Sequence, residues 1–243
     1  MEISVLKIIK YLIYDRFHFE KSKDQWIENH QETYDVLCEK MNQSAETSFP
    51  ADERLQDLSF TVFDLETTGF FPRAGDEIIS IGAVKITVSD LGLSKQFYQI
   101  VSPIKKPSNE VKLLIDMTQK QIDRGKAFPE SLNDFISFAD QSILVAYPAS
   151  FDVPFLQELS KRWNMPTGNL PHIDCHKLAQ YLYPNEKNTL DHLVKKFGIV
   201  QQERHHALND ALMTAEVFQF LIEELIQRGI TTLQEYRKAM NIK

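Results

Sequence analysis

Apolar and polar positions follow three different rhythms along the chain. Up to about residue 45 apolar residues recur at helical spacing, with Val5, Ile8, Ile9, Leu12 and Ile13 in one stripe and Ile27, Tyr34, Leu37 and Met41 in another. Two amphipathic helices are expected there. The aperiodic polar stretch from Asn42 to Pro50 ends them. Residues 1–50 therefore read as a helical N-terminal extension, 55–230 as the main domain and 231–243 as a C-terminal helical tail. From Phe60 the period drops to two. Phe60, Val62, Asp64 and Glu66 share one face of a strand, and Thr61, Phe63 and Leu65 the other. Thr67-Thr68-Gly69 breaks this strand, and Pro72 to Asp76 is turn material. A second strand is expected from Glu77 to Val88, and a third around Phe97 to Val101 after an Asp90-Leu91-Gly92 connection. Such short links imply antiparallel neighbours.

Beyond residue 130 helices and strands alternate. Helical spacing covers Ser131 to Ala139 and Val153 to Trp163, and short apolar strands lie at Ile143 to Ala146 and His172 to Asp174. Two more helices carry Leu190, Leu193, Val194 and Phe197, then Ala211, Ala215, Phe218 and Ile222. The expected architecture is α/β, a mixed sheet of three antiparallel strands extended by parallel ones and flanked by helices.

Composition fits that picture. A chain of 243 residues, 43% of them hydrophobic, can bury one such domain plus an extension. Lys7 and Lys10 interrupt the first apolar run and no cleavage site follows, so a signal peptide is not expected. No apolar run approaches the length of a membrane span. The two cysteines, Cys38 and Cys175, form no paired motif, which suits free thiols and a cytoplasmic setting. A net charge of −7 disfavours a surface that coats nucleic acid broadly, yet it is compatible with gripping one strand end.

Part of the acidity has the pattern of a metal site. Asp64 and Glu66, two apart on an otherwise apolar strand, repel each other and lose hydration unless a cation lies between them. Hard oxygen ligands suit magnesium or manganese. Such a pair alone is also common on solvated strand faces, and Asp152 alone could be a helix cap or a surface residue. The His205-His206 pair lacks further histidine or cysteine ligands at zinc spacing.

Taken together these residues form a recognisable set. FDLETTG followed by DEIISIGAVKI resembles the first motif of the DEDDh 3′-5′ exonucleases, a ribonuclease H-like family that includes proofreading subunits of bacterial replicative polymerases. Asp152 matches the second-motif aspartate. His205 and Asp210, in HHALNDA, match the third motif. The resemblance spans residues 58–228 and implies a ribonuclease H-like fold that releases nucleoside monophosphates from the 3′ end of single-stranded DNA, in proofreading or repair, or of RNA. It also implies that Asp64, Glu66, Asp152 and Asp210 hold two Mg²⁺ or Mn²⁺ ions, with His205 as general base. Leu65, Thr67, Thr68, Gly69, Phe151 and His205 would contact the strand end.

The chain departs from the family at Tyr147-Pro148, where His-Asn is usual. That change is either structural drift or a change in substrate fit around Asp152, and it keeps open an inactive module that binds nucleic acid or a partner. Asp174 reads as a helix cap, and His172, His176 and His192 as surface or packing residues. Lys161-Arg162 and Lys195-Lys196 are solvated faces or guides for a phosphate backbone. Phe70-Phe71 could stack on a base, with at least one of the two expected in the core. The N-terminal stripes need burial, on the same chain as first expectation, otherwise on a polymerase or a second copy.

Overall fold

The structure, a computed structural model, describes residues 9–45, 48–88, 90–167 and 170–241. Its centre is a five-stranded sheet of β1 (Ser59–Thr67), β2 (Ile78–Thr87), β3 (Asp90–Ile100), β4 (Ile143–Ala146) and β5 (His172–Asp174). The spatial order is β3-β2-β1-β4-β5. β1, β2 and β3 pair antiparallel, while β4 and β5 are added in parallel. Short turns permit the antiparallel pairs, whereas parallel neighbours need a long crossover, here made of helices. The expected mixed sheet is therefore present. β3 begins earlier than its apolar pattern suggested: Asp90 already pairs with Thr87, so Asp90-Leu91-Gly92 is strand and not connection.

β1 is buried on both faces. On one, Phe60 and Val62 lie under the long helix α9 (Ala207–Gln227), with the Phe60 and Phe218 rings 5.0 Å apart. α7 (Cys175–Leu182), α8 (Leu190–Lys196) and α10 (Leu233–Ala239) complete that layer, and Leu233 and Tyr236 of α10 are buried in it. On the other, Phe63 and Leu65 meet α5 (Phe128–Phe138) and α6 (Ala149–Arg162), with Phe63 and Phe135 5.3 Å apart. The alternation along β1 thus feeds two separate cores. Two short helices, α3 (Asn109–Leu114) and α4 (Gln119–Ile122), lie between β3 and α5.

The N-terminal helices α1 (Arg16–Asn29) and α2 (Gln31–Ala45) pack on the same chain. Leu37 and Met41 of α2 are buried, and the Tyr34 hydroxyl donates to the carbonyls of Trp163 and Asn164 at 2.8 Å. The first stripe behaves differently. Ile9, Leu12 and Ile13 are exposed, and Val5 and Ile8 lie outside the described residues. A different face, through Tyr11, Asp15 and Phe19, meets the domain. Arg162 sits 4.0 Å over the Phe19 ring, Lys105 pairs with Asp15 at 3.7 Å, and the Tyr11 ring lies against Gly75. Aromatic, cation–π and charge contacts outweigh aliphatic burial in choosing this face.

Candidate active site

Four carboxylates converge where β1 leaves the sheet. Asp64 and Glu66 point to the face covered by α9, continuing the line of Phe60 and Val62. Asp210 lies in the first turn of α9 and Asp152 in the first turn of α6, each nearly fully buried. Helix N-termini favour anions, so both first turns stabilise the carboxylates they carry.

A glycine allows this convergence. Gly82 is the cross-strand partner of Asp64. A Cβ placed there would lie 2.2 Å from the backbone carbon of Ala207, the first residue of α9. Only a bare backbone lets the helix start rest on the sheet beside Asp64. Two residues further, a bulge between Glu66 and Thr67 ends the regular pairing of β1 with β2 and turns the chain away.

The turn after Glu66 is held from within. The Thr67 hydroxyl donates to the Gly69 carbonyl at 2.7 Å, the Thr68 N–H to the Glu77 carbonyl at 2.8 Å, and Glu77 N–H to the Thr68 hydroxyl oxygen at 2.9 Å. Buried Asp76 accepts from Phe71 N–H at 3.0 Å, and a side chain at Gly69 would collide with it. The threonine hydroxyls are thus engaged in shaping the turn. The N–H groups of Gly69 and Phe70 make no hydrogen bond among the described residues.

One oxygen each from Asp64, Glu66 and Asp210 lie within 4.8 Å of one another. Asp152 stands beside this trio. Asp64 keeps part of its surface open, but its carboxyl is enclosed. Burial first, then the charges of Asp152, Asp210 and Glu66, push it well above the usual carboxylate range. Burial and Glu66 do the same to Asp152, partly offset by the Leu65 backbone N–H. Burial and Asp210 raise Glu66 to about 7, and burial raises Asp210. Carboxyls that resist ionisation because of one another are relieved by a shared cation. The donors are all hard oxygens, so the site fits a divalent ion such as magnesium or manganese.

Arg204 supplies a positive charge in this arrangement. Its guanidinium bonds to Asp210 and, at 3.0 Å, to Asp191, and it opposes the upward shifts of Asp64, Glu66 and Asp210. Sequence reasoning did not single it out, because a lone arginine carries no spacing signal. His205 follows it in a left-handed conformation (φ 62°), its N–H donating to Asp210 Oδ2 at 3.1 Å and its side chain exposed at the mouth of the site. His206 turns away and stacks on Tyr98, with ring centroids 4.6 Å apart.

Asp174 does more than cap one helix. Its Oδ1 accepts from Lys177 N–H in the first turn of α7, as expected, and its Oδ2 accepts from Ser150 N–H in the first turn of α6, at 3.2 and 3.0 Å. It thereby fixes the turn that carries Asp152. Tyr147-Pro148 forms the corner between β4 and α6, with Pro148 at the cap position and the Tyr147 hydroxyl donating to the Asn188 carbonyl at 2.7 Å. Phe70 is largely exposed and tilts against Phe151, their centroids 6.0 Å apart.

Comparison with known proteins bears directly on this geometry. The exonuclease family model matches residues 61–218, which hold all four carboxylates and His205. The chain belongs to the DEDDh 3′-5′ exonuclease family. This family member is 35% identical over 187 residues to the PolC-type DNA polymerase III of Thermotoga maritima, covering 77% of the chain and 14% of the polymerase. It is 34% identical over 199 residues to a DNA polymerase III subunit epsilon-like protein of Rhodobacter capsulatus, covering 77% of the chain and 28% of that protein. The chain therefore spans well under a third of the length of these relatives. Its fold is similar to the nuclease domain of 3′hExo, a DEDDh family member solved bound to rAMP, with a TM-score of 0.60, 21% identity, and 70% and 92% of the two chains covered. No helix among the described residues is long and apolar enough to cross a membrane.

Proposed function

We propose that this exonuclease domain is a divalent-metal-dependent enzyme that removes nucleoside monophosphates one at a time from the 3′ end of a single strand. The observation that carries the reading is the trio Asp64, Glu66 and Asp210, with their carboxyl oxygens within 4.8 Å and Asp152 beside them. Asp64, Glu66 and Asp210 would hold one ion, and Asp64 with Asp152 a second. Bound Mg²⁺ or Mn²⁺ there would supply Lewis-acid polarisation and charge neutralisation for an in-line displacement at phosphorus.

The chain's own groups do the rest. His205, exposed at the mouth, takes the proton from the attacking water, so its neutral imidazole is the working form. Gly69 and Phe70 offer free N–H groups to the strand end, on a turn that Thr67 and Thr68 hold in shape. Phe151, half-buried next to Asp152, gives the terminal nucleoside an apolar surface, whereas the side chain of Leu65 is packed in the core against α5 and α6 and is not available for that contact. Asp174 keeps Asp152 in place through Ser150. DNA is the preferred polymer because the relatives above are named as DNA polymerase III proteins. The same names support a proofreading or repair setting beside a polymerase.

Labelled DNA and RNA strands of one sequence, digested side by side in Mg²⁺ or Mn²⁺, test the substrate. The expected result is stepwise shortening from the 3′ end, faster on DNA. Faster removal from RNA would reassign the polymer, and no metal-dependent shortening of either would refute the enzyme reading.

A further inference from the structure

Beside the candidate site an open groove of about 630 Å³ runs along α6, and of its lining the chemistry above uses only the Phe70 N–H. Pro154, Glu158 and Lys161 form one of its walls, spaced as a single helix face. Phe70 and Arg73, from the turn after β1, form its floor. Leu12, together with Tyr11 from the N-terminal segment, closes the far side. Phe70 and Leu12 are 55% and 58% exposed, so two large apolar side chains face the opening without cover from the described residues.

We infer that this groove is the track for the single strand upstream of the 3′ end, and that the N-terminal segment is part of the substrate surface. The inference rests on the exonuclease reading and extends it to the nucleotides that are not being cleaved. Continuity with the site is the first support. Phe70 follows Gly69 and touches Phe151, the neighbour of Asp152, so the groove opens where the strand end is held. Length is the second: from Asp152 to Lys161 the helix advances about 13 Å, room for about four stacked nucleotides at about 3.4 Å each.

Charge is the third support. The molecule is acidic overall, yet this rim carries Arg73, with its side chain 89% exposed, and Lys161. The one acid between them, Glu158, pairs with Arg73 at 3.5 Å, and Lys161 makes no ion pair among the described residues. Aromatic rings flanked by cations suit a strand whose bases stack and whose phosphates are negative. The same surface gives the exposed Leu12 side chain a role.

Leu12→Asp and Lys161→Ala test this on the full chain, both at exposed positions where the fold tolerates substitution. Binding of a fluorescein-labelled ten-nucleotide single strand is followed by anisotropy in EDTA, beside a two-nucleotide strand. Each variant should weaken binding of the long strand by about fivefold or more, corresponding to about 1 kcal/mol per lost stacking or phosphate contact. The two-nucleotide strand should bind each variant as it binds the wild type. Lys161→Ala should also reduce the salt dependence of long-strand binding by about 0.7 in log–log slope. Unchanged affinity for the long strand in both variants, or an equal loss on both strands, would overturn the groove assignment.

Hydrolysis of the p-nitrophenyl ester of thymidine 5′-monophosphate reports the catalytic site separately. If the wild type leaves the ester and the long strand intact while the binding differences persist, the exonuclease reading fails and the groove assignment stands.

Discussion

Glu66→Gln isolates the electrostatic cost of assembling the site without metal. In the fold Glu66 holds its proton up to about pH 7, against 4.5 for an unperturbed glutamate, because it is buried beside Asp210. A carboxyl whose folded value is raised favours the fold below its unfolded value and loses that advantage as pH climbs through the folded one. Across this interval, at about 1.4 kcal/mol per pH unit, the ionised side chain costs the metal-free protein about 3 kcal/mol by pH 8. Gln removes the charge at nearly constant shape. Metal-free Glu66→Gln should therefore melt about 6–12 °C above the wild type at pH 8, as a chain of this size gains about 2–4 °C per kcal/mol. At pH 5, half a unit above the unfolded value, only about 0.8 kcal/mol of that cost is present, and the separation should shrink to about 2–3 °C. With Mn²⁺ the order should reverse, since the wild type gains ligand-linked stability that Gln, lacking one donor, cannot match. Thermal melting at the two pH values, in EDTA and in excess Mn²⁺, reads all four states. Coincident metal-free curves at pH 8, or equal separation at pH 5 and 8, would refute the reasoning.

Two further outcomes concern how the carboxylates are positioned. Gly82→Ala should destabilise the protein by about 1–3 kcal/mol or more in urea titration and suppress the Mn²⁺-induced rise in melting temperature, because the new Cβ would lie 2.2 Å from the Ala207 backbone. A variant that melts and responds like the wild type would remove Gly82 from the account. Asp174→Ala removes acceptors for Ser150 and Lys177 N–H and should cost about 1–4 kcal/mol, whereas Asp174→Asn, whose single amide oxygen replaces only one of the two acceptors, should recover no more than about half of it. A loss below about 0.5 kcal/mol in the alanine variant would show that Asp174 does not fix the turn of Asp152.

The parts of this protein that could be read from its residues are those written in local periodicity. Alternation from Phe60 to Glu66 places two carboxylates on the face that α9 covers, and the antiparallel-then-parallel sheet follows from loop length. What depends on long-range approach could not be read. Gly82 looks like any strand glycine until α9 is seen resting on it. Arg204 lies beside His205 without a periodic signal, yet it bridges Asp191 and Asp210. Asp174 shows one cap in sequence and two in space. The first N-terminal stripe is misleading for a related reason. Helical spacing identifies an apolar face, but Arg162, Lys105 and Gly75, far along the chain, decide which face docks.

The central claim is that the converging carboxylates carry out metal-dependent removal of 3′ nucleotides. Its most direct test follows a 5′-labelled single strand incubated with Mg²⁺ or Mn²⁺ and the wild type or Asp64→Asn. The wild type should give a ladder that shortens one nucleotide at a time and stops on addition of EDTA, and Asp64→Asn should leave the strand intact while remaining folded. Undiminished shortening by purified Asp64→Asn would contradict the account.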